Sequence, residues 1–481
     1  MGRLVSIYVV MGALRRLVSL FLVPLYTRLI PQADYGRLDL LIAAAGFLGL
    51  LADFHLDLAL SRFFYPEAEK GNARAYLGSC LATRVLLSAA VLGVGVLLSD
   101  QTASWVVPGA GGAPSVFALL MATLLIVDLE SMLLLCLRLR ERVMAFSVLS
   151  VIDTLVQTAT AVVVVGLLDA GMIGIVWAQL AGAAVGAAGA LVLLRGEIEI
   201  AFSWPTVRQL LAFSAPMVPG SLFAWAGMYL NRIIVSRHVS LDDVARLALA
   251  MKFVGVVQFL GTSVRLAWTP LSMRVMGDLA GRNRFYRTGL ELLVAAMLVV
   301  CTALTLLSRP LVALLAPDGY AAAAHFVPLM VLGAMFATST IFVDVGNQIA
   351  RSTYNSSIST VAGTAVNLAI LVVAVPKWGL YAAAVGFFAG NLTNVALLLL
   401  LTGRRYRVGY RPGMLGATLA GAAVLLAYQP VGSRLAFGSG AWILASLAAA
   451  FLVAIASWYT LAPSVRRSLP GILRLIVHRA P

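Results

Sequence analysis

Long runs of apolar residues, separated by short polar segments, follow one another from one end of the chain to the other. A helix that crosses a bilayer needs about 20 mostly apolar residues, because each residue adds about 1.5 Å along the helix axis. The runs predict about fourteen spans, at approximately 5–28, 38–61, 76–98, 115–137, 143–167, 171–194, 210–235, 247–270, 286–308, 325–349, 357–375, 379–402, 413–428 and 440–462. The pattern therefore predicts an all-α polytopic membrane protein.

The same pattern repeats on a larger scale. When the sequence is aligned with itself so that Asp34 matches Asp243, Gly46 aligns with Gly255 and span 1 aligns with span 7. The repeat unit is then six spans, which return the chain to the same side of the membrane. Two parallel bundles of this kind are a transporter architecture. The predicted domains are an N-lobe (spans 1–6) at 1–195, a central cytoplasmic loop at 196–209, a C-lobe (spans 7–12) at 210–403, and spans 13 and 14 with a basic cytoplasmic tail at 404–481.

The charged residues are few and unevenly placed. Only 11% of the chain is charged, 61% is hydrophobic, and the formal net charge is +15. Lysine and arginine cluster in alternate loops, whereas the loop at 99–114 on the opposite side contains neither. This distribution follows the positive-inside rule and predicts that both termini are cytoplasmic. It also disfavours nucleic-acid binding, because the excess positive charge lies beside the membrane.

The segments between spans exclude several enzyme classes. None is long enough to fold as a separate catalytic domain. A nucleotide-binding P-loop requires a glycine before its lysine, and no lysine in this chain follows glycine. The histidines have no metal-ligand spacing, and each cysteine lies within a predicted span: Cys80, Cys136 and Cys301. We therefore expect a transporter, with no cofactor, no metal and no catalytic residues.

Cationic residues inside the spans indicate a polar cavity. A charge at the bilayer centre costs about 2.5–3.5 kcal/mol on insertion scales, so it faces the protein interior or water. Arg15 and Arg16 lie in the middle of span 1. Guanidinium groups match phosphate oxygens as a planar fork. The predicted substrate-binding residues of a central cationic cavity are Arg15, Arg16, Arg84, Arg232, Lys252 and Arg265.

Acidic residues inside the spans are candidates for ion coupling or for charge pairing. A carboxylate in the membrane can relay a proton, bind sodium or join two helices, and the sequence leaves these roles open. Arg15 and Asp53 lie at similar predicted depths, so a pair of Arg15 with Asp53 or Asp57 is expected. The candidate acids are Asp53, Asp57, Asp128, Asp153 and Asp344.

Five short motifs resemble a known family. They are Pro-Leu-Tyr-Thr-Arg-Leu-Ile-Pro at 24–31 followed by Asp-Tyr-Gly at 34–36, Phe-Ser-Ala-Pro-Met-Val-Pro at 213–219, Asn-Arg at 231–232, Trp-Thr-Pro at 268–270, and the segment 375–384. In this order they resemble the polysaccharide flippases of the superfamily that also contains the MATE drug exporters and the lipid II flippases. One departure is Asp-Phe-His-Leu-Asp at 53–57, where relatives usually have small or apolar residues.

The resemblance implies a V-shaped, MATE-like fold with two C-terminal helices added, working by alternating access. Its relatives move polyprenyl-pyrophosphate-linked repeat units of O-antigen, capsule or exopolysaccharide across the bacterial inner membrane. The implied partners are the lipid-linked oligosaccharide, membrane lipids, a coupling ion (H+ or Na+) and the polysaccharide polymerase machinery. Coupling to the membrane potential is the alternative to an ion.

Two other transport functions and one enzymatic function compete with this one. An exporter of small organic cations should present acids and aromatic rings, and Arg15 and Arg16 would repel its substrate. A lipid II flippase stays open as an alternative. A polymerase or ligase should carry a large outer loop with several charged catalytic groups, whereas the outer loops 99–114 and 309–324 contain one acid each.

We expect Arg15→Glu to abolish transport of a polyprenyl-pyrophosphate-linked oligosaccharide while folded protein still reaches the membrane. The variant places a negative charge where phosphates are expected to bind. Arg15→Lys should also transport less, because a point charge lacks the two parallel donors of a guanidinium group. The measurement is translocation in proteoliposomes, and normal transport by Arg15→Glu would contradict the predicted cationic cavity.

Overall fold

The computed structural model describes residues 12, 18, 21–107, 112–199, 201–274, 282–344, 347, 354–405, 408–463 and 465–466. Regular structure in these residues is helical, and they include no strand. This confirms the predicted all-α fold. The predicted cavity residues Arg15 and Arg16 lie outside the described residues.

The described residues up to Ser236 form eleven helices. They are α1 at 21–29, α2 Gln32–Asp53, α3 Leu56–Glu69, α4 Ala73–Leu97, α5 Ser99–Val106, α6 Ala113–Leu139, α7 Val143–Ala161, α8 Gly171–Leu193, α9 Trp204–Ser214, α10 Val218–Trp225 and α11 Asn231–Ser236. A π-helical stretch at Val162–Leu167 continues α7.

The described residues from Leu241 onward form eight further long helices. They are α12 Leu241–Arg274, α13 Arg282–Leu306, α14 Ser308–Leu315, α15 Val327–Val343, α16 Tyr354–Trp378, α17 Leu380–Arg405, α18 Pro412–Arg434 and α19 Gly440–Thr460. A 3-10 helix at Asp318–His325 precedes α15.

Eleven stretches of helix in the described residues are long and apolar enough to cross a membrane. They become twelve if Asp318–His325 and Val327–Val343, which meet at 50°, form one bent span. The predicted number was about fourteen. The difference lies in span 1, which begins outside the described residues, in the bent span 10, and in span 7, which is broken. The chain is an integral membrane protein of the predicted polytopic type.

Span 7 is broken because proline interrupts its hydrogen bonding. Proline has no N–H to donate, and its ring clashes with the preceding turn. A 3-10 turn at Ala215–Met217 contains Pro216, and Pro219 stands in the first turn of α10. A π-helical stretch at Ala226–Leu230 then separates α10 from α11.

The described contacts divide the chain into two compact units. Unit 1 comprises Met1–Ala245 and Leu315–Pro317, and unit 2 comprises Arg246–Leu314 and Asp318–Pro481. Span 7 therefore belongs to unit 1 by its contacts. The two six-span lobes predicted on either side of 196–209 were inferred from the sequence repeat and not from contacts. They stay a prediction.

The core of unit 1 joins α3, α4, α6, α8 and α9. It includes Leu56, Leu77, Leu133, Ala190 and Leu210, all buried. At Gly78 of α4 a side chain would overlap the main-chain carbonyl of Glu199, so the chain after α8 can lie directly against α4 only because this residue is glycine.

In unit 2 a buried ionic contact fastens the last two spans to α13. Glu291 of α13 is completely buried, and its Oε1 accepts a hydrogen bond from Nε of Arg411 at 2.7 Å. Its Oε2 accepts from the main-chain N–H of Ala462 at 2.8 Å, just after α19. Arg411, just before α18, also donates to the carbonyl of Thr460. One carboxylate thus holds the start of α18 and the end of α19.

We expect Glu291→Ala to lower the thermal stability of the purified protein strongly, because removing one partner of a buried ion pair costs about 3–5 kcal/mol. Glu291→Gln should be milder, since its amide oxygen can still accept one bond. The measurement is the apparent melting temperature in detergent. Glu67→Ala is the matched control: its pair with Lys70 is solvent-accessible and should contribute about 0–1 kcal/mol. Equal losses in Glu291→Ala and Glu67→Ala would contradict the fastening role.

Candidate functional site

A break in span 2 of unit 1 lies within the unusual segment 53–57. Between α2 and α3, Phe54 and His55 have positive φ angles of 45° and 54°. Side chains other than glycine rarely adopt this left-handed conformation, which costs about 1–3 kcal/mol at each position. The hydrophobic pattern predicts an uninterrupted span here. The break must therefore be stabilised by contacts that the pattern does not contain.

The first of these contacts is a charge network centred on Arg84 of α4. Arg84 is 3% exposed, and its guanidinium group pairs with the carboxylates of Asp53 and Asp128. It also donates to the main-chain carbonyl of Asp53 at 2.6 Å, one of the carbonyls left without a helical partner where α2 ends. Ser88 donates to the second oxygen of Asp128. Arg84 thus ties the end of α2 to α6.

The second contact links the break to the start of span 7. The Nε2 of His55 is hydrogen-bonded to the hydroxyl of Ser221 on α10. The main-chain carbonyl of His55 accepts from the hydroxyl of Ser214 on α9 at 3.0 Å. Its main-chain N–H donates to Asp53 at 3.2 Å. The strained residue therefore contacts both helices that flank Pro216.

The break also gathers groups that could hold a cation. One ligand atom each from Asp53, His55 and Asp57 lies within 4.8 Å of the others. Asp57 is exposed and the other two are half-buried. Arg84 pairs with both Asp53 and Asp128, and Asp57 adds a third carboxylate close to Asp53, so acidic groups outnumber the one guanidinium group at the break. Such a group can bind a proton or a small cation. The sequence predicted the aspartates but did not single out His55.

A second ion pair in unit 1 joins α2 to α11. Nε of Arg232, which is buried, donates to the carboxylate of Asp39. The guanidinium carbon lies 4.9 Å from the ring centroid of Tyr229, a cation–π distance. Arg232 was predicted as a substrate-binding residue. Asp39 shares the polar face of span 2 with Asp53, but the sequence did not identify it as the partner of Arg232.

Two further carboxylates in unit 1 lie against glycines of α8. A Cβ atom at Gly182 would be 2.6 Å from Oδ1 of Asp153 on α7, and one at Gly186 would overlap the carboxylate of Glu130 on α6. Both acids are buried. Both acids interrupt apolar runs of the sequence, Glu130 in span 4 and Asp153 in span 5, and both are visible there as candidates for ion coupling.

Unit 2 contains a polar cavity of about 240 Å³. It brings together Arg265 and Asp344, which the sequence had assigned to different roles. The carboxylate of Asp344 accepts from the hydroxyl of Ser356 and, at 3.0 Å, from the side-chain amide of Asn347. The hydrogen-bonding residues that line the cavity include Arg265, Trp268, Thr340, Asp344, Ser356 and Asn394.

The predicted cations are thus distributed over both units. Arg84 and Arg232 are buried in unit 1 and paired with aspartates. Arg265 lines the cavity of unit 2, whereas Lys252 is exposed on α12 and is not among the lining residues. That these residues form one substrate cavity stays a prediction.

Comparison with known proteins gives a family and a fold. A family model described as polysaccharide biosynthesis protein matches residues 1–276, more than half of the chain. No curated protein matches the chain.

Three solved structures are similar over most of the chain. A structure of the lipid II flippase MurJ in an inward closed conformation has a TM-score of 0.73 at 14% identity, covering 96% of this chain and 99% of that one. An inward-facing multidrug resistance MATE family transporter of the MOP superfamily has a TM-score of 0.68 at 15% identity, covering 81% and 94%. A point mutant of the Vibrio cholerae MATE transporter VcmN has a TM-score of 0.57 at 14% identity, covering 85% and 98%. These similarities confirm the predicted MATE-like fold.

We expect Arg84→Met to destabilise the protein strongly, because it leaves the carboxylates of Asp53 and Asp128 without their cation, a loss of about 3–5 kcal/mol for a broken buried pair. Arg84→Met combined with Asp53→Asn and Asp128→Asn should recover much of the loss, since no uncompensated charge remains. Thermal stability in detergent is the measurement. Arg142→Met, at a half-exposed pair with Glu197, is the control. A triple variant no more stable than Arg84→Met would contradict the charge-network interpretation.

Proposed function

Since the chain belongs to the family of polysaccharide biosynthesis proteins, we propose that it is a flippase for a polyprenyl-pyrophosphate-linked oligosaccharide. The substrate is the repeat unit of an O-antigen, capsule or exopolysaccharide, and the membrane is the bacterial inner membrane, with both termini in the cytoplasm. The protein is a transporter that works by alternating access, and the polysaccharide polymerase machinery uses its product.

One observation carries this proposal: the family match and the MATE-like fold describe the same chain. The family supplies the process, which is polysaccharide assembly. The fold is shared with a lipid II flippase and with multidrug transporters. A carrier within polysaccharide assembly has to move a sugar-bearing lipid, because the sugar units are otherwise too polar to cross the bilayer.

The arginines provide the charge that a pyrophosphate requires. Arg15, Arg16, Lys252 and Arg265 are the proposed contacts to the phosphates, with the two phosphate groups bound by guanidinium forks. Arg84 and Arg232 already donate to aspartates. Such groups reach a phosphate only by exchanging partners, so we propose that these two arginines act in the conformational change.

The break in span 2 is the proposed site of ion coupling. Asp53, His55 and Asp57 form a group of excess negative charge that is accessible through Asp57. Its occupant would be H+ or Na+, and coupling to the membrane potential is the alternative. Because His55 is bonded to Ser221 and Ser214, binding at the break acts directly on the broken span 7.

We expect Asp57→Asn to transport without responding to an imposed H+ or Na+ gradient, because the variant keeps the shape of the side chain and removes its charge. The measurement is the translocation rate in proteoliposomes with each gradient imposed in turn. Asp100→Asn, an acid on α5 outside the spans, should respond as wild type does. A full gradient response in Asp57→Asn would contradict coupling at the break.

The function itself is tested by translocation of a polyprenyl-pyrophosphate-linked oligosaccharide in proteoliposomes, detected by accessibility of the sugar to an added glycosidase or lectin. The similarity to multidrug transporters supports a second candidate, the export of small organic cations. A cationic dye is therefore tested in the same vesicles. Movement of the lipid without the dye supports the proposal, and movement of the dye without the lipid supports the exporter. Movement of lipid II in place of the oligosaccharide lipid would identify the third alternative.

A further inference from the structure

We propose that Arg309, at the outer end of unit 2, binds the phosphate group of an anionic membrane phospholipid. The outer position follows from the predicted topology, in which both termini are cytoplasmic and the segment 309–324 is an outer loop. The site is separate from the ion-coupling group of unit 1 and from the cavity that contains Arg265 and Asp344. The inference does not depend on which substrate the protein carries.

One side of the Arg309 side chain is fixed by the end of a helix. Its Nη1 donates to the main-chain carbonyls of Gly432 at 2.9 Å and Leu435 at 2.8 Å. Helix α18 ends at Arg434, and the last carbonyls of a helix have no partner within it. Arg309 therefore satisfies carbonyls at this end, and its guanidinium group is held in one place. A donor held in this way is preorganised for binding.

The other edge of the guanidinium group makes no bond to the described part of the chain. Neither Nε nor Nη2 of Arg309 has an acceptor there, and neither belongs to the buried polar atoms that lack a partner, so both are accessible to solvent. Nε–H and one N–H of Nη2 lie side by side on this edge of the planar group. Two parallel donors of this kind match two oxygens of one phosphate or carboxylate group.

The pocket beside Arg309 admits one small polar group. Its volume is about 20 Å³, whereas one water needs about 10–15 Å³, so a phosphate oxygen fits and a sugar ring does not. The lining includes His325 and Gln429, whose side chains carry further N–H donors. None of the lining residues, all of which belong to the described part of the chain, is acidic. The pocket therefore favours an anion over a cation.

Exposed apolar side chains flank the pocket, which indicates a lipid as the source of the phosphate. Leu307 precedes the lining residue Ser308 and is 48% exposed, and Val431 precedes the lining residue Gly432 and is 50% exposed. Arginines near the ends of spans reach the membrane interface, where lipid headgroups lie. A phosphate that is attached to acyl chains can contact the guanidinium group and these apolar side chains at the same time.

The test uses the full-length protein in detergent, titrated with phosphatidylglycerol and followed by native mass spectrometry. Diacylglycerol with the same acyl chains is the comparison lipid, because it lacks the phosphate headgroup. We expect wild type to bind phosphatidylglycerol more tightly than diacylglycerol. Arg309→Gln should weaken binding of phosphatidylglycerol about tenfold, the loss expected when hydrogen bonds to a charged group are removed, and should leave binding of diacylglycerol unchanged.

A second variant keeps the bonds from Arg309 to the end of α18. Ser433 lines the same pocket, so the carboxylate of Ser433→Glu can pair with the accessible edge of the guanidinium group and exclude a phosphate. We expect this variant to lose phosphatidylglycerol binding as Arg309→Gln does, while it elutes and melts as wild type does. Such a loss in a folded protein separates a lipid site from an arginine that only fixes the helix end.

Matched controls make the same changes outside the pocket. Arg434→Gln removes an exposed arginine that is not among the lining residues, and Ser104→Glu adds a carboxylate to exposed Ser104 of α5, in the outer segment 99–114. Each should change the affinity for phosphatidylglycerol by no more than about threefold, because interactions of exposed charges are weak. A loss in either control equal to that in Arg309→Gln would overturn the assignment.

Three other outcomes would also overturn the inference. One is that wild type binds phosphatidylglycerol and diacylglycerol equally well, since the phosphate would then contribute nothing. Another is that Ser433→Glu binds phosphatidylglycerol as wild type does, since the phosphate would then lie elsewhere. The third concerns glycerol 1-phosphate, a water-soluble source of the same group. If it binds as tightly as phosphatidylglycerol and displaces it, the pocket binds free phosphate esters and the lipid assignment is wrong.

Discussion

Burying a charge in a medium of low dielectric constant is so costly that a buried ion is stabilised chiefly by an opposite charge placed beside it. The described spans follow this constraint at three points. Arg84 pairs with Asp53 and Asp128, Arg232 with Asp39, and Arg411 with Glu291. Each pair joins helices that are distant in sequence. The charged residues that are costly to insert into the membrane therefore also form contacts that determine which helices are neighbours.

The sequence predicts the spans well because the bilayer imposes a simple rule on length and polarity. It predicts one uninterrupted helix wherever the hydrophobic pattern continues, even where the backbone leaves the α-helical conformation. Pro216 and Pro219 are visible signals in span 7, and the break that they cause could be expected. The break at Phe54 and His55 has no such signal, since neither residue is a usual helix breaker. Only the tertiary contacts of Arg84, Ser214 and Ser221 reveal why it is stable.

The sequence also identifies charged residues more readily than their partners. An acid or base within an apolar run is conspicuous, so Asp128, Asp153 and Arg84 were found without a structure. Partner choice depends on how each helix is rotated and how closely it packs. Asp53 was expected to pair with Arg15, which lies outside the described residues, and its carboxylate contacts Arg84. The cavity of unit 2 brings Arg265 and Asp344 together, and residue type alone does not predict that these two residues line one cavity.

The contact between Glu291, Arg411 and Ala462 has a consequence for biosynthesis. Glu291 precedes both partners in the chain, and Ala462 follows the last described span. During translation its carboxylate enters the membrane long before either partner has been made. The nascent protein must therefore carry an uncompensated acid, protonated or hydrated, until the final hairpin is inserted. A chain whose synthesis stops before Arg411 therefore leaves a polar defect in the bilayer.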